Sequence, residues 1–281
     1  MRTIEADRIG ETVYGLILKA SYEIGEDVLC ALQAAREKES SALGCSILDQ
    51  ILENDRIAGS EHIAICQDTG VCVIFMDIGQ DVHIAGGDLS ETLCSAVRRA
   101  YTDGYLRKSM VSDPLYDRLN TEDNTPPVVH TRIVPGEKID ITVIPKGFGS
   151  ENASAVRMLA PAAGEAGVID FVAEAVQSKG ANACPPLIIG VGIGGTMESA
   201  AIMAKRMTAR PLNIWNADPR YRTLEQKILH RVNALGIGPA GVGGNCTALK
   251  VNIETAPTHI AGMPVAVNIC CHAARHAHAV L

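Results

Sequence analysis

Cys66-Gln67-Asp68-Thr69-Gly70 places a thiol, an amide and a carboxylate side by side, and the apolar run Val71-Cys72-Val73-Ile74-Phe75 follows at once. Reactive groups at the mouth of an apolar strand suit a site better than a core. Two other cysteine settings are alike. Cys184 precedes Pro185-Pro186, and Cys270-Cys271 closes the run Val265-Ala266-Val267-Asn268-Ile269. Thiolates at Cys66, Cys184 and one of the Cys270-Cys271 pair suit an iron–sulfur cube with one iron left open. An iron with an exchangeable position acts as a Lewis acid, which suits adding or removing water beside a carboxylate. Buried structural thiols and a zinc site are the alternatives. Zinc is disfavoured because no close Cys-x-x-Cys or Cys-x-x-His pair is present.

Other stretches have chemical readings of their own. Lys146-Gly147-Phe148-Gly149-Ser150-Glu151-Asn152 follows an expected strand and precedes an expected helix, so its backbone N–H groups suit an anion. A plain strand-to-helix turn is the rival. Gly190-Val191-Gly192-Ile193-Gly194-Gly195 matches the Gly-x-Gly-x-x-Gly dinucleotide pattern and raises a nucleotide-dependent oxidoreductase as a competing function. The acidic residue expected some twenty residues further on is unconvincing, since Asp218 falls in a loop, so a close-packing or anion turn is preferred. His259 falls between two expected strands, shortly before Cys271, and suits anion binding or proton relay. His272, His276 and His278 resemble a metal tract but fit a partner-covered or frayed end better.

The elements that must position these groups form an α+β pattern, helices first and then mixed strands and helices. Apolar residues at helical spacing (Ile9, Val13, Leu16, Ile17; Val28, Leu32, Ala35; Ile47, Ile51, Leu52) make residues 1–60 a helical region within one domain spanning 1–281. Ser40 or Ser41 caps the third helix. Strands are expected over 71–78, 82–84, 130–134, 138–144, 186–191, 247–253 and 265–269, with 130–134 and 138–144 forming a hairpin through Pro135-Gly136. Helices are expected over 90–105, 156–178 (bent near Pro161 and Gly164) and 220–235, with Thr196 capping one more. Residues 112–127 read as a surface loop.

With 281 residues and 47% hydrophobic content, the chain supports an ordinary globular core. The net charge of −7 argues against nucleic-acid binding. No apolar run reaches the roughly 18 residues of a membrane span, and the first residues lack a signal-peptide order, so a cytoplasmic location is expected. Nine cysteines are an odd number, which excludes a fully paired disulfide framework. Cys30, Cys45 and Cys94 fall on apolar helix faces and are expected to be buried and inert.

The motifs, taken in order, resemble the alpha subunits of iron–sulfur (class I) fumarate hydratases and of the related L(+)-tartrate dehydratase. The resemblance covers essentially the whole chain. It rests on Cys66-Gln67-Asp68-Thr69-Gly70, Leu106-Arg107, Lys146 to Asn152, Ala183-Cys184-Pro185-Pro186, Gly241-Val242-Gly243-Gly244-Asn245, Pro257-Thr258-His259, and Pro264-Val265 leading to Cys271. It implies a [4Fe–4S] cluster on Cys66, Cys184 and Cys271. It implies that Gln67, Arg107 and the backbone at Gly149 grip substrate carboxylates. Asp68 would handle the hydroxyl proton, and His259 would orient substrate or tune that acid. Phe148 stands where many relatives have glycine and would narrow the loop, while Ser150-Glu151-Asn152 is closer to the fumarate enzymes. Longer relatives continue into a second domain. The resemblance therefore implies a separate beta subunit that completes the site, in a dimer of alpha–beta pairs, acting on a small dicarboxylate. Fumarate is the first choice, with L(+)-tartrate and mesaconate (a methyl-fumarate) as alternatives.

Overall fold

The computed structural model describes residues 1–281. The elements begin with β1 (Arg2–Glu5), α1 (Ala6–Tyr22), α2 (Glu26–Lys38), α3 (Ala42–Glu61), β2 (Val71–Gly79), β3 (Val82–Ala85) and α4 (Leu89–Asp103). They continue with β4 (Val128–Val134), β5 (Ile139–Lys146), α5 (Phe148–Glu151), β6 (Ala155–Leu159), α6 (Gly164–Lys179) and β7 (Leu187–Gly195). They close with α7 (Met197–Met207), α8 (Pro219–Asn233), β8 (Ala248–Thr258), β9 (Met263–Cys270) and β10 (Ala277–Val280). This is an α+β chain, and no helix is long and apolar enough to cross a membrane. It divides into two compact units. The first holds Met1–Gly25, Asp55–Phe148 and Arg275–Leu281, and the second holds Glu26–Asn54 and Gly149–Ala274.

The first unit is built on a four-stranded sheet in the order β10-β5-β2-β4. Cys72, Ile74 and Met76 of β2 and Ile139, Ile141 and Val143 of β5 alternate onto one face. Ile9, Val13 and Ile17 of α1 and Leu93, Val97 and Tyr101 of α4 pack there. Asp88 caps α4 by accepting the Glu91 N–H. The expected hairpin does not form, because β2 lies between β4 and β5, parallel to the first and antiparallel to the second. The reason is burial. Val71 to Met76 are all buried, so β2 takes the two-sided position, while β4 is mostly exposed and serves as an edge. The end of the chain is not frayed: β10 pairs with β5, and His278 Nε2 lies 2.9 Å from Asp140 Oδ1. A further strand within the helical first sixty residues, β1, pairs with β3 in parallel.

The second unit has a sheet in the order β6-β9-β7-β8, with β7 and β8 parallel and the other pairs antiparallel. Leu187, Ile189, Val191 and Ile193 of β7 face Phe171, Val172 and Val176 of α6 and Leu224, Ile228 and Val232 of α8. The opposite face carries Gly190 and Gly192, and a Cβ on either would stand 1.9 or 2.0 Å from a backbone carbonyl oxygen of α7. These glycines let a helix lie directly on the sheet, so the close-packing alternative explains the dinucleotide-like pattern and nothing remains to support the oxidoreductase reading. Residues 156–159 are expected to be helical but belong to β6, whose backbone pairs along β9 from Ala155↔Val267 to Leu159↔Met263. Pro161 separates this strand from α6. Ser41 caps α3 by accepting the Gly44 N–H at 3.1 Å. Thr196 occupies the N-cap position of α7, but its hydroxyl binds the Glu198 and Ser199 side chains rather than a backbone N–H. Cys30 is exposed and Cys45 and Cys94 are half-buried, contrary to expectation, because Cys30 faces away from the Val28–Leu32–Ala35 stripe and the other two sit at the rims of theirs; the buried thiols are Cys72 and Cys270.

Candidate active site

In the first unit the groups of interest gather at one end of the sheet. Val71 pairs with Lys146, so the loop before β2 and the loop after β5 leave the sheet side by side. Asp68 joins them. Its Oδ1 accepts the Gly70 N–H at 3.1 Å and its Oδ2 accepts the Phe148 N–H at 2.8 Å. Gly70 has φ +77, and a Cβ there would stand 2.4 Å from the Lys146 carbonyl oxygen. Only glycine fits that position.

Buried groups hold the same loop from behind. The Tyr101 hydroxyl lies 3.0 Å from the carbonyl oxygens of both Thr69 and Gly70. Burial pushes this phenol well above its ordinary value and keeps it a donor. Asn124 Nδ2 donates to Gly70 O at 3.1 Å, while its Oδ1 accepts the Ser109 and Met110 N–H groups. The Thr69 hydroxyl donates to Arg107 O at 2.9 Å. Thus Gln67, Asp68 and Arg107 share one braced assembly, with the Gln67 and Arg107 side chains exposed. The half-exposed Cys66 points its Sγ at Gln67 Oε1, 3.5 Å away. Phe148 contributes its N–H, and its side chain is 50% exposed rather than filling the loop.

The second unit brings two of the expected cysteines together. β7 and β9 are antiparallel with Ile188 opposite Cys270, so the turn before β7 meets the end of β9. The His272 N–H donates to Cys184 O at 3.2 Å. Cys184 is exposed in the left-handed region (φ 54), and Cys271 is half-buried with its Sγ 3.8 Å from Ala273 O. Gly149 belongs to the same end: a Cβ there would lie 4.0 Å from Asn182 O. The Lys146–Asn152 motif contains only the single turn α5 and then enters β6, not a long helix. Its Glu151 is structural, accepting from Lys205 and from Asn268 Nδ2.

The Gly241–Asn245 motif has a mechanical role here. The Ala240 N–H donates to Pro185 O at 2.8 Å, next to Cys184. Glu39 clamps the far side. Its Oε1 accepts the Ser40 and Ser41 N–H groups and its Oε2 accepts those of Asn245 and Cys246. Burial works to raise the Glu39 carboxyl, but the four N–H donors outweigh it and the net shift is downward. The folded value is therefore below the unfolded one. The stabilisation is complete above the unfolded value and is lost as pH falls through the folded one. Glu39→Gln turns one acceptor into a donor facing N–H groups and is expected to cost about 2–3 kcal/mol near neutrality. In urea melts the deficit against wild type should shrink as pH drops below about 4. A constant deficit at all pH values would contradict the clamp.

His259 is not brought to the cysteines. It is exposed beyond the end of β8, accepting the Ala261 N–H at 3.1 Å through Nδ1. The eight residues of β9 separate it from Cys271, roughly 25 Å of strand. The reading missed Arg275, whose side chain is 2% exposed. An arginine among the buried Ala273, Ala274 and Ala277 was the available signal.

A family model described as fumarate hydratase (Fumerase) matches residues 10–280. The chain belongs to the fumarate hydratase family. It is accordingly a hydro-lyase. It is 36% identical over 96% of its length to a protein of Methanocaldococcus jannaschii described as a putative L(+)-tartrate dehydratase subunit alpha, and the match covers 96% of that protein. It is 32% identical to the L(+)-tartrate dehydratase subunit alpha of Escherichia coli K12, over 96% of this chain and 89% of the relative.

Family membership makes the donor set testable. No group of three or more His, Cys, Asp or Glu side chains is arranged as a ready site for a metal ion. No disulfide joins any of the nine cysteines, and Cys66, Cys184 and Cys271 all lie outside helices and strands. Cys66 belongs to the first unit, and Cys184 and Cys271 belong to the second. Thiols outside any disulfide and on irregular backbone, two of them on hydrogen-bonded neighbouring segments, fit thiolate ligation of iron.

Proposed function

We propose that this chain is the alpha subunit of a cytoplasmic iron–sulfur hydro-lyase that interconverts fumarate and L-malate, paired with a separate beta subunit in a dimer of such pairs. The observation that carries the reading is the His272–Cys184 hydrogen bond, which joins two of the three thiol-bearing segments in a chain matched end to end by the fumarate hydratase family. Cys66, Cys184 and Cys271 hold a [4Fe–4S] cluster. When bound, that cluster supplies a Lewis acid with one exchangeable iron position.

Asp68 exchanges a proton with the hydroxyl that leaves or arrives. Its orientation is set in advance by the Gly70 and Phe148 N–H groups, so little ordering is left for the reaction itself. Gln67, Arg107 and the backbone at Gly149 hold the substrate carboxylates, the arginine through its planar fork. Removal of the proton from carbon is left to a base on the beta subunit, which the naming of the relatives as alpha subunits supports. His259 is given no part within this chain's site.

L(+)-tartrate is the second reading, favoured by the names of both relatives. The preference for fumarate drawn from Ser150-Glu151-Asn152 loses force because Glu151 is occupied by Lys205 and Asn268. The test is anaerobic purification and reconstitution of the chain with its second subunit, measuring bound iron and sulfide, then turnover of fumarate, L-malate, L(+)-tartrate and mesaconate. Brown protein whose iron is lost in Cys184→Ser and Cys271→Ser is expected, with fumarate the fastest substrate. Colourless protein without iron would remove the cluster, and fastest turnover of tartrate would select the second reading.

A further inference from the structure

Arg275 is a buried charge with two of its three guanidinium nitrogens unsatisfied. It is 2% exposed, and its Nε and Nη1 are buried without hydrogen-bond partners. A guanidinium stays protonated at any working pH, and a buried charge without compensation is expensive. The adjoining residues carry no carboxylate. The chain from Ala273 to Ala277 offers alanines and His276, and the facing Tyr101 hydroxyl is turned to the Thr69 and Gly70 carbonyls.

The geometry around Gly147 indicates the counter-charge. Arg275 Nη2 and Asp68 Oδ2 both lie 3.2 Å from the point where a Cβ on Gly147 would stand. The two groups therefore converge on one glycine from separate segments of the first unit. β10 opens with Ala277 opposite Val143, which brings Arg275 to the sheet end where β5 runs into Gly147. Any side chain at 147 would intrude between them. Arg275 is not itself held by a carboxylate, so its field is directed at Asp68, whose oxygens are fixed by backbone N–H groups.

We propose that Arg275 is the positioning residue for Asp68: across Gly147 it supplies the fixed positive charge against which that carboxylate is oriented. This rests on the proposed role of Asp68. It acts on the carboxylate and not on substrate, because Nε and Nη1 are enclosed.

The experiment uses the reconstituted two-subunit enzyme with fumarate. Asp68→Asn is measured first, since undiminished turnover there would overturn the Asp68 reading itself. Given a strong loss in Asp68→Asn, Arg275→Met is expected to lower kcat at least 30-fold with KM within twofold. Arg275→Lys should recover much of the loss, and Arg275→Met should cost nothing further in the Asp68→Asn background. Gly147→Ala keeps both charges while crowding the space between them. It is expected to lower kcat about tenfold at unchanged KM, and it serves alone if Arg275→Met does not fold. Wild-type kcat in either variant, a loss expressed mainly in KM, or a fully additive double variant would each overturn the inference and leave the Asp68 reading standing.

Discussion

Asp68→Asn is expected to reduce kcat for fumarate hydration by about 10²–10⁴-fold, the range a positioned acid–base group commonly contributes. The substitution keeps the shape of the side chain and removes the proton acceptor. It also turns one oxygen into an NH₂ group facing a backbone N–H, at Gly70 or at Phe148, so one of the two bonds that orient the side chain is lost. The loop itself should survive. Tyr101 and Asn124 still hold the Thr69 and Gly70 carbonyls, and Thr69 still holds Arg107 O. Steady-state kinetics with matched circular dichroism would check this: a large fall in kcat, a KM within a few-fold of wild type and an unchanged spectrum are expected. Turnover near wild type would remove Asp68 from the chemistry.

The robustness expected of that loop was only half legible in the sequence. Gln67-Asp68-Thr69-Gly70 stood out because polar groups precede an apolar strand and a glycine marks a turn. The brace behind it did not. Tyr101 lies on a helix face that reads simply as core, and Asn124 sits in a polar stretch that reads as exposed loop, yet both are fully buried. Their roles come from partners more than 30 residues away, which no local pattern encodes. Arg275 was hidden for the same reason, and so was the insertion of β2 between β4 and β5. A proline-glycine turn signals a change of direction but does not say which strand fills the space beside it. The dense apolar runs of β2 and β7 and the helical stripes of α1 and α8 were readable because burial imposes them locally. Residues 156–159 failed because a short apolar segment suits either a strand or a helix until its pairing partner is known.

The glycines of β7 carry the second large effect. Gly192→Ala is expected to destabilise the second unit by about 3 kcal/mol or more, at the upper end of what overpacking commonly costs. The added Cβ would stand 2.0 Å from Ala200 O and 2.9 Å from both Ala200 C and Ala204 N. These are backbone atoms of α7, so no rotamer change relieves the clash and the helix must lift from the sheet. Lifting it would also part Ala200 and Ala204 from Ala266 of β9, the strand that ends beside Cys271. A fall in melting temperature of roughly 6–12 °C should follow for a chain of this size. Gly15→Ala makes the paired control. That glycine lies within α1 with nothing inside 4 Å of its missing Cβ, so alanine there should stabilise by about 0.5–1 kcal/mol through helix propensity alone. If Gly192→Ala melted with or above wild type while Gly15→Ala behaved as expected, α7 could not lie as close to β7 as described, and the packing explanation of the Gly190–Gly195 pattern would be lost.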